Sequence, residues 1–290
     1  MILSNIILPF TICDNNVKGR IIKLDEELDK ILTQHQYPEL VAKLLGELLL
    51  ITAIIGSQFK DEITLTLQLQ TEGYIKYMVA DYQSPNQVKG YVQIDSQQDF
   101  KTELDQDFIT KGFLTITIDR KIYDNHRYQG VIEVENTNIS QVIEKYFEQS
   151  EQIPTLVKLS VGRNLAYNQK TSWCGGGIMI QKLPNTEDQE KWIEAQAYFM
   201  TIRDHELIDP SISAEKLLYS LYHEVGVTIY DYLPIVNKCR CSRERAIQVL
   251  KAIGEEEIES LIVDGKISVK CQFCNQSQDF LIKKVKKMFD

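Results

Sequence analysis

A chain of 290 residues, 43% hydrophobic and 25% charged, is long enough for two domains or for one large domain with an appendage, and can bury a sizeable core. With 14 Gly and 7 Pro it is not disordered, collagen-like or loop-dominated. A formal net charge of −9 argues against a surface that grips nucleic acid throughout, which needs a basic footprint to release counterions.

The N-terminus, MILSNIILPFTICDNN, has neither a positive n-region nor a small-residue cleavage site, so it does not read as a signal peptide. Asp25 to His35 predicts an amphipathic helix with Leu28, Ile31 and Leu32 on one face. Pro38 opens a second helix through Leu40, Leu44, Leu45 and Leu48 to Ile55. The longest apolar stretch, Leu44 to Gly56, carries Glu47 and Thr52 and is too short to span a bilayer, so it reads as a buried helix of a soluble, cytoplasmic protein.

Ile63, Leu65, Leu67 and Leu69 alternate with Thr and Gln, the period of a half-buried strand. Tyr74–Ala80 and Val88–Ile94 continue the pattern around a turn at 84–87. Further strands are expected at Leu114–Ile118, Tyr128–Val134, Val157–Val161 and Ile178–Ile180, with a helix at Ser140–Phe147. Strands broken by separate helices predict an α+β domain with a large sheet over residues 1–183.

After Leu183 charged positions dominate, including Glu187, Asp188, Glu190, Lys191 and Glu194, over an apolar stripe of Trp192, Ala195, Tyr198 and Phe199. Helices are expected at Ala214–Val225 and Thr228–Leu233, with no strand pattern, so residues 184–236 read as a helical linker that depends on docking for its stability. Residues 237–290 form a third unit of net charge +3, and KKVKK at 283–287 reads as a solvated basic face.

Cysteine placement is the most informative signal. Cys239-Arg-Cys241 is followed, after residues 242–270, by Cys271-Gln-Phe-Cys274. Two close thiol pairs supply the four soft ligands of a tetrahedral Zn²⁺ site, one ion per chain. No histidine lies beyond His223, so the site is all sulfur and closed, hence structural or regulatory. The intervening segment reads as helices at Arg243–Ile253 and Glu256–Val263, Gly265, then a strand through Val269. So small a unit takes much of its folding free energy from the metal. Thiolates are also the form that oxidants attack, and Lys238, Arg240, Arg243 and Arg245 supply a basic neighbourhood. Peroxide-type oxidation leads through sulfenic acid to disulfides and ejects the metal. Four cysteines allow three pairings, and the short loops favour Cys239–Cys241 and Cys271–Cys274.

Other chemistry is not supported. Trp173-Cys174-Gly-Gly-Gly177 lacks the GK[ST] of a phosphate loop and reads as a tight turn between strands, while Cys13 reads as a buried apolar thiol. His223-Glu224 and His205-Glu206 fail the HExxH pattern, having Val227 and Asp209 where the second His belongs. No catalytic residue is assigned, and the chain is not read as an enzyme.

The stretch CRCSRERA at 239–246, followed by EEEIES and CQFCN at 271–275, resembles the 33-kilodalton heat-shock protein family of redox-regulated holdase chaperones. YFEQSEQIPT at 146–155, Val88-Lys-Gly-Tyr91, Tyr128-Gln-Gly130 and Leu221-Tyr-His-Glu224 fit as well, in the expected order. Two positions depart from the family pattern: Asn237 replaces an aromatic, and Gln278 stands where Tyr is common. The resemblance implies a reduced, zinc-bound, inactive form. Oxidation with unfolding stress would form the two local disulfides, release zinc, melt the tail and destabilise the linker. The exposed apolar surface would hold unfolding client proteins without ATP and pass them to ATP-driven refolding chaperones. It further implies a homodimer of the oxidised form, with no membrane or nucleic-acid partner. Two other classes fit parts of the pattern: a nucleic-acid-binding zinc ribbon, from the four cysteines and basic tail, and a thiol oxidoreductase, from Cys271-x-x-Cys274.

Overall fold

The computed structural model describes residues 3–95, 109–120, 127–165, 171–184, 189–253 and 255–281. KKVKK, Glu187 and Asp188 lie outside them. The chain forms two compact units, residues 1–237 and 238–290.

The first unit holds two six-stranded sheets. Its strands are β1 (Ile6–Ile12), β2 (Val17–Leu24), β3 (Ile63–Thr71), β4 (Ile75–Gln83), β5 (Gln87–Ile94), β6 (Ile109–Arg120), β7 (Arg127–Thr137), β8 (Thr155–Leu165) and β9 (Thr171–Lys182). Three short ones follow: β10 (Val227–Ile229), β11 (Leu233–Pro234) and β12 (Val236–Asn237). One sheet has the order β10-β1-β2-β9-β8, with β11 also pairing β1; the other runs β12-β5-β4-β3-β6-β7. All these pairs are antiparallel except β12, which lies parallel to β5.

Helix α1 (Glu26–Leu32) is capped from a distance, since Asn5 Oδ1 accepts from the amides of Asp25 and Glu27. Pro38 occupies the N-cap of α2 (Glu39–Gly56). This helix is buried on nearly all sides and packs on strands of both sheets, which explains its apolar run of Leu and Ile. Helix α3 (Ile139–Tyr146), capped by Asn138, continues into a π-helical turn at Phe147–Glu151.

Helices α4 (Gln189–Phe199), α5 (Asp204–Ile208) and α6 (Ala214–Tyr222) cover the outer face of the first sheet. Ile6–Ile12 show why β1 is hard to read in sequence. Ile7 faces the core around α2, whereas Ile6, Leu8, Phe10 and Ile12 face a second core with Trp192, Phe199, Leu217 and Tyr222. A strand buried on both faces loses its polar alternation.

Two expectations are corrected. Thr228–Leu233 is not helical: β10 and β11 add to the free edge of β1, with Phe10 opposite Ile229 and Ile7 opposite Leu233. Cross-strand pairing outweighs the weak local helical pattern. Gly175–Gly177 is not a turn but the middle of β9, paired on both sides. The glycines are there for close approach: a Cβ on Gly176 would lie 2.1 Å from the Leu207 carbonyl oxygen. Gly176→Ala is therefore expected to push α5 off the sheet at a cost of about 1–3 kcal/mol. Limited proteolysis within residues 189–236 of the reduced protein checks this, and unchanged cleavage rates would contradict it.

Polar contacts fix the segment after α4. The Lys23 ammonium, 6% exposed as a residue, donates to the carbonyls of Glu206 (3.4 Å), Asp209 (3.0 Å) and Ile212. Lys158 donates to the Ile202 carbonyl and pairs with Asp204 at 3.2 Å, and Asn164 Nδ2 donates to the Ile208 carbonyl at 3.2 Å.

Candidate metal centre

The second unit contains α7 (Arg243–Ile253), α8 (Glu255–Ser260) and a hairpin of β13 (Lys266–Lys270) and β14 (Ser277–Leu281). Ser242 starts α7, its Oγ accepting from the Arg245 amide. Asp264 and Gly265, both at positive φ, make the tight turn into β13. Ala246, Leu250, Ile258, Ile267 and Phe280 form the core. Among the described residues these five, with Ile247, Ile253, Ile262 and Val269 partly buried against them, are few to hold a unit of this length.

The four predicted cysteines converge. Cys239 and Cys241 precede α7, and Cys271 and Cys274 sit in the loop joining β13 to β14. Their Sγ atoms all lie within 4.8 Å of one another. The loop is shaped by two backbone bonds, Asn275 N–H to Cys271 O and Cys271 N–H to Gln276 O, both 2.9 Å, with Asn275 at φ 59°. Left-handed backbone favours Asn and penalises β-branched residues by about 1–2 kcal/mol. Asn275→Val should therefore weaken metal retention by about tenfold, as read by competition with a chromophoric chelator.

The nearest sulfur contacts run across the pairs: Cys239 to Cys271 at 3.6 Å and Cys241 to Cys274 at 3.2 Å. A zinc ion with bonds of ~2.3 Å has sulfur–sulfur edges of about 3.8 Å, so the cluster needs only small adjustments to accept one. All four donors are soft, and no carboxylate or imidazole belongs to the group. The residues fit zinc.

Hydrogen bonding polarises the thiols unequally. The Cys241 thiol is pushed well up by its contact with Cys274 and by burial. Burial opposes the Cys271 thiolate, but the amides of Cys274 and Phe273 and the neighbouring thiols outweigh it and lower its pKa. The basic residues contribute less directly than their spacing suggests. Arg243 stacks on Phe280, 4.3 Å from the ring centroid, and Arg245 donates to the Arg240 carbonyl at 3.2 Å. The loop's own amides, not the guanidiniums, contact sulfur. This signal is not visible in the sequence beyond the Cys-x-x-Cys spacing.

The two remaining cysteines stand apart from this centre. Cys13 is buried in the core that α4 and α6 share with the first sheet. Cys174 is buried on β9 with its thiol pushed up to about 11, chiefly by burial, which makes it a poor nucleophile. Of the two departures from the family pattern, Asn237 donates its amide to Glu27, and Gln278 Oε1 is buried with no hydrogen-bond partner among the described residues.

A closed four-thiolate centre in a small unit appended to an α+β core defines a protein whose metal holds structure and whose ligands sense oxidants, not a hydrolytic enzyme. The family model described as Hsp33 protein matches residues 5–280. A 33 kDa chaperonin from Caulobacter vibrioides is 36% identical over 288 residues, covering 95% of this chain and 94% of its own. One from Vibrio cholerae is 32% identical over 279 residues, covering 96% and 92%. The crystal structure of the 33 kDa chaperonin from Thermotoga maritima superposes with a TM-score of 0.83 at 22% identity, covering 99% of this chain and 98% of that one. This chain belongs to the Hsp33 family. It is a redox-regulated, non-enzymatic chaperone with a four-cysteine zinc site. Among the described residues no helix is long and apolar enough to cross a membrane.

Proposed function

We propose that Cys239, Cys241, Cys271 and Cys274 hold one Zn²⁺ in the reduced protein. Their oxidation to Cys239–Cys241 and Cys271–Cys274 disulfides would then turn the chain into a holdase for unfolding proteins. When bound, zinc supplies a tetrahedral cross-link and no redox chemistry. The thiols carry the electrons: two equivalents of peroxide take four electrons from four thiols, leaving two disulfides and four waters.

The observation that carries this reading is the convergence of two cysteine pairs, some thirty residues apart in sequence, on one point of a unit whose described residues bury only a small apolar core. Contacts across the pairs span 32 and 33 residues. Local disulfides would replace that long staple with two short loops, which constrain the unfolded chain far less.

Chain continuity would carry the change onward. β12 is two residues long, and Asn237, its last, is followed by Lys238 and Cys239. Melting after Asn237 would pull on β12 and then on the linker, residues 184–236. Its release would expose Phe10, Ile21, Ile178 and Ile180 on the sheet and Trp192, Phe199 and Leu217 on the helices. Such an apolar surface holds unfolded chains without ATP, for later hand-off to ATP-driven refolding chaperones. The oxidised form would be a homodimer acting in the cytoplasm.

The test is light scattering from a heat-unfolded client, with zinc-loaded reduced protein and with peroxide-treated protein, while a chromophoric chelator reads zinc release. Suppression only after oxidation, tracking zinc loss, is expected. Zinc release without client protection would overturn the holdase reading.

A further inference from the structure

YFEQSEQIPT at 146–155 carries much of the resemblance but lies in the first unit and takes no part in the metal centre. There it ends α3 in the π-helical turn, and Gln152 follows at φ 56°. Wide helical turns and left-handed non-glycine residues collect at functional sites. This turn forms one wall of a cavity of ≈ 580 Å³, within the range of small-ligand pockets. β6 and the C-terminal end of α2 form others, so that Phe59, Ile116, Ile118, Phe147 and Ile153 give an apolar interior.

The polar groups around it are balanced in charge. The Glu151 carboxylate accepts from Tyr146 at 2.8 Å and from Tyr128 at 3.3 Å. Arg127 is paired with Asp119 at 2.7 Å, and the Arg120 guanidinium lies 5.8 Å from the Phe59 ring centroid. Gln58 Nε2 is buried with no hydrogen-bond partner among the described residues. A fatty anion would meet Glu151, and an organic cation would meet two guanidiniums. An uncharged peptide meets neither penalty, and a large apolar side chain can fill the interior formed by Phe59, Ile116, Ile118, Phe147 and Ile153.

We infer that this cavity anchors one large apolar side chain, Phe or Leu, of an extended client segment. The inference rests on the holdase reading and adds a preformed site to the surface that the linker would release. Its walls belong to the core around α2, so it persists when the metal unit melts. One anchor binds weakly; holding a client requires both surfaces.

The test uses full-length, zinc-loaded, reduced protein and N-acetyl-phenylalaninamide as probe, with N-acetyl-glycinamide as control, followed by saturation-transfer NMR. Ile118→Trp and Ile153→Trp fill the cavity from different walls, and zinc content and thermal melting verify that both are folded. Saturable binding of the Phe probe alone is expected, at least tenfold weaker in each variant. After peroxide treatment both variants should release zinc like the wild type but protect a client at least threefold less. Probe binding that survives both substitutions, or full client protection by both oxidised variants, would overturn the anchor. Wild-type protein that binds the probe but never protects a client would overturn the holdase reading together with the anchor's assignment to clients.

Discussion

Cys271→Ser is expected to leave the reduced protein with less than half its zinc under a competing chelator, and with a protease-sensitive segment beyond Lys238. Structural zinc contributes on the order of 10–16 kcal/mol of apparent folding free energy in small metal-dependent units. The core of Ala246, Leu250, Ile258, Ile267 and Phe280 offers little to replace it. The amides of Cys274 and Phe273 also favour the Cys271 thiolate and lower its pKa against the opposing effect of burial. A serine there keeps the loop's backbone bonds but loses the soft donor, so metal loss should precede any disruption of the hairpin. Cys174→Ser is the matched control, since that thiol lies on β9 in the other unit. Full zinc retention by Cys271→Ser, with an unchanged digestion pattern, would remove this cysteine from the ligand set.

Lys23→Met should release the linker without any oxidant. The ammonium satisfies the carbonyls of Glu206, Asp209 and Ile212, and a thioether of similar length fills the space but donates nothing. The Asp209 carbonyl keeps the Ile212 amide at 3.3 Å, so the main loss falls on the Glu206 and Ile212 carbonyls, at about 1–3 kcal/mol for each that is shut off from water. Losing the clamp should cost more than the 1–3 kcal/mol expected from crowding at Gly176. The reduced, zinc-loaded variant should then be cleaved within 189–236 and should suppress client aggregation that the reduced wild type does not. Zinc content separates this route from loss of the metal unit, because it should stay at the wild-type level. A variant that remains resistant to protease and inactive until oxidised would show that apolar packing alone keeps the linker docked.

The four cysteines were legible because ligand chemistry imposes both residue type and spacing, and nothing else in the chain requires Cys-x-Cys and Cys-x-x-Cys together. Strands β3, β5 and β7 were legible because each exposes one face to water, so polar residues alternate with buried Ile, Leu and Val. What failed to show had lost that contrast. β1 is buried largely on both faces and reads as nearly plain apolar sequence, while in β2 the half-buried Lys18 and Arg20 and the buried Lys23 blur the alternation. The short strands at 227–229 and 233–234 owe their conformation to a partner more than two hundred residues away. The glycines of β9 looked like a turn because what demands them is remote in sequence: Leu28 and Leu50 at Gly175, the Leu207 carbonyl oxygen at Gly176, and Leu159 and Ile22 at Gly177. The cavity beside the π-helical turn has no periodic signature, since α2, β6, β7 and α3 each contribute only a few residues to it.

The first sheet is a wall shared by two cores. Ile7 and Ile22 belong to one, Leu8 and Ile21 to the other. Detaching the linker therefore wets two apolar surfaces at once, the outer face of a sheet that stays folded and the stripe of the helices that leave it. Such a step has a large positive heat-capacity change for the number of residues that move. The free energy of docking must then curve with temperature, weakening on cooling as well as on heating. Linker release should thus be easiest at both ends of the temperature range and hardest between them.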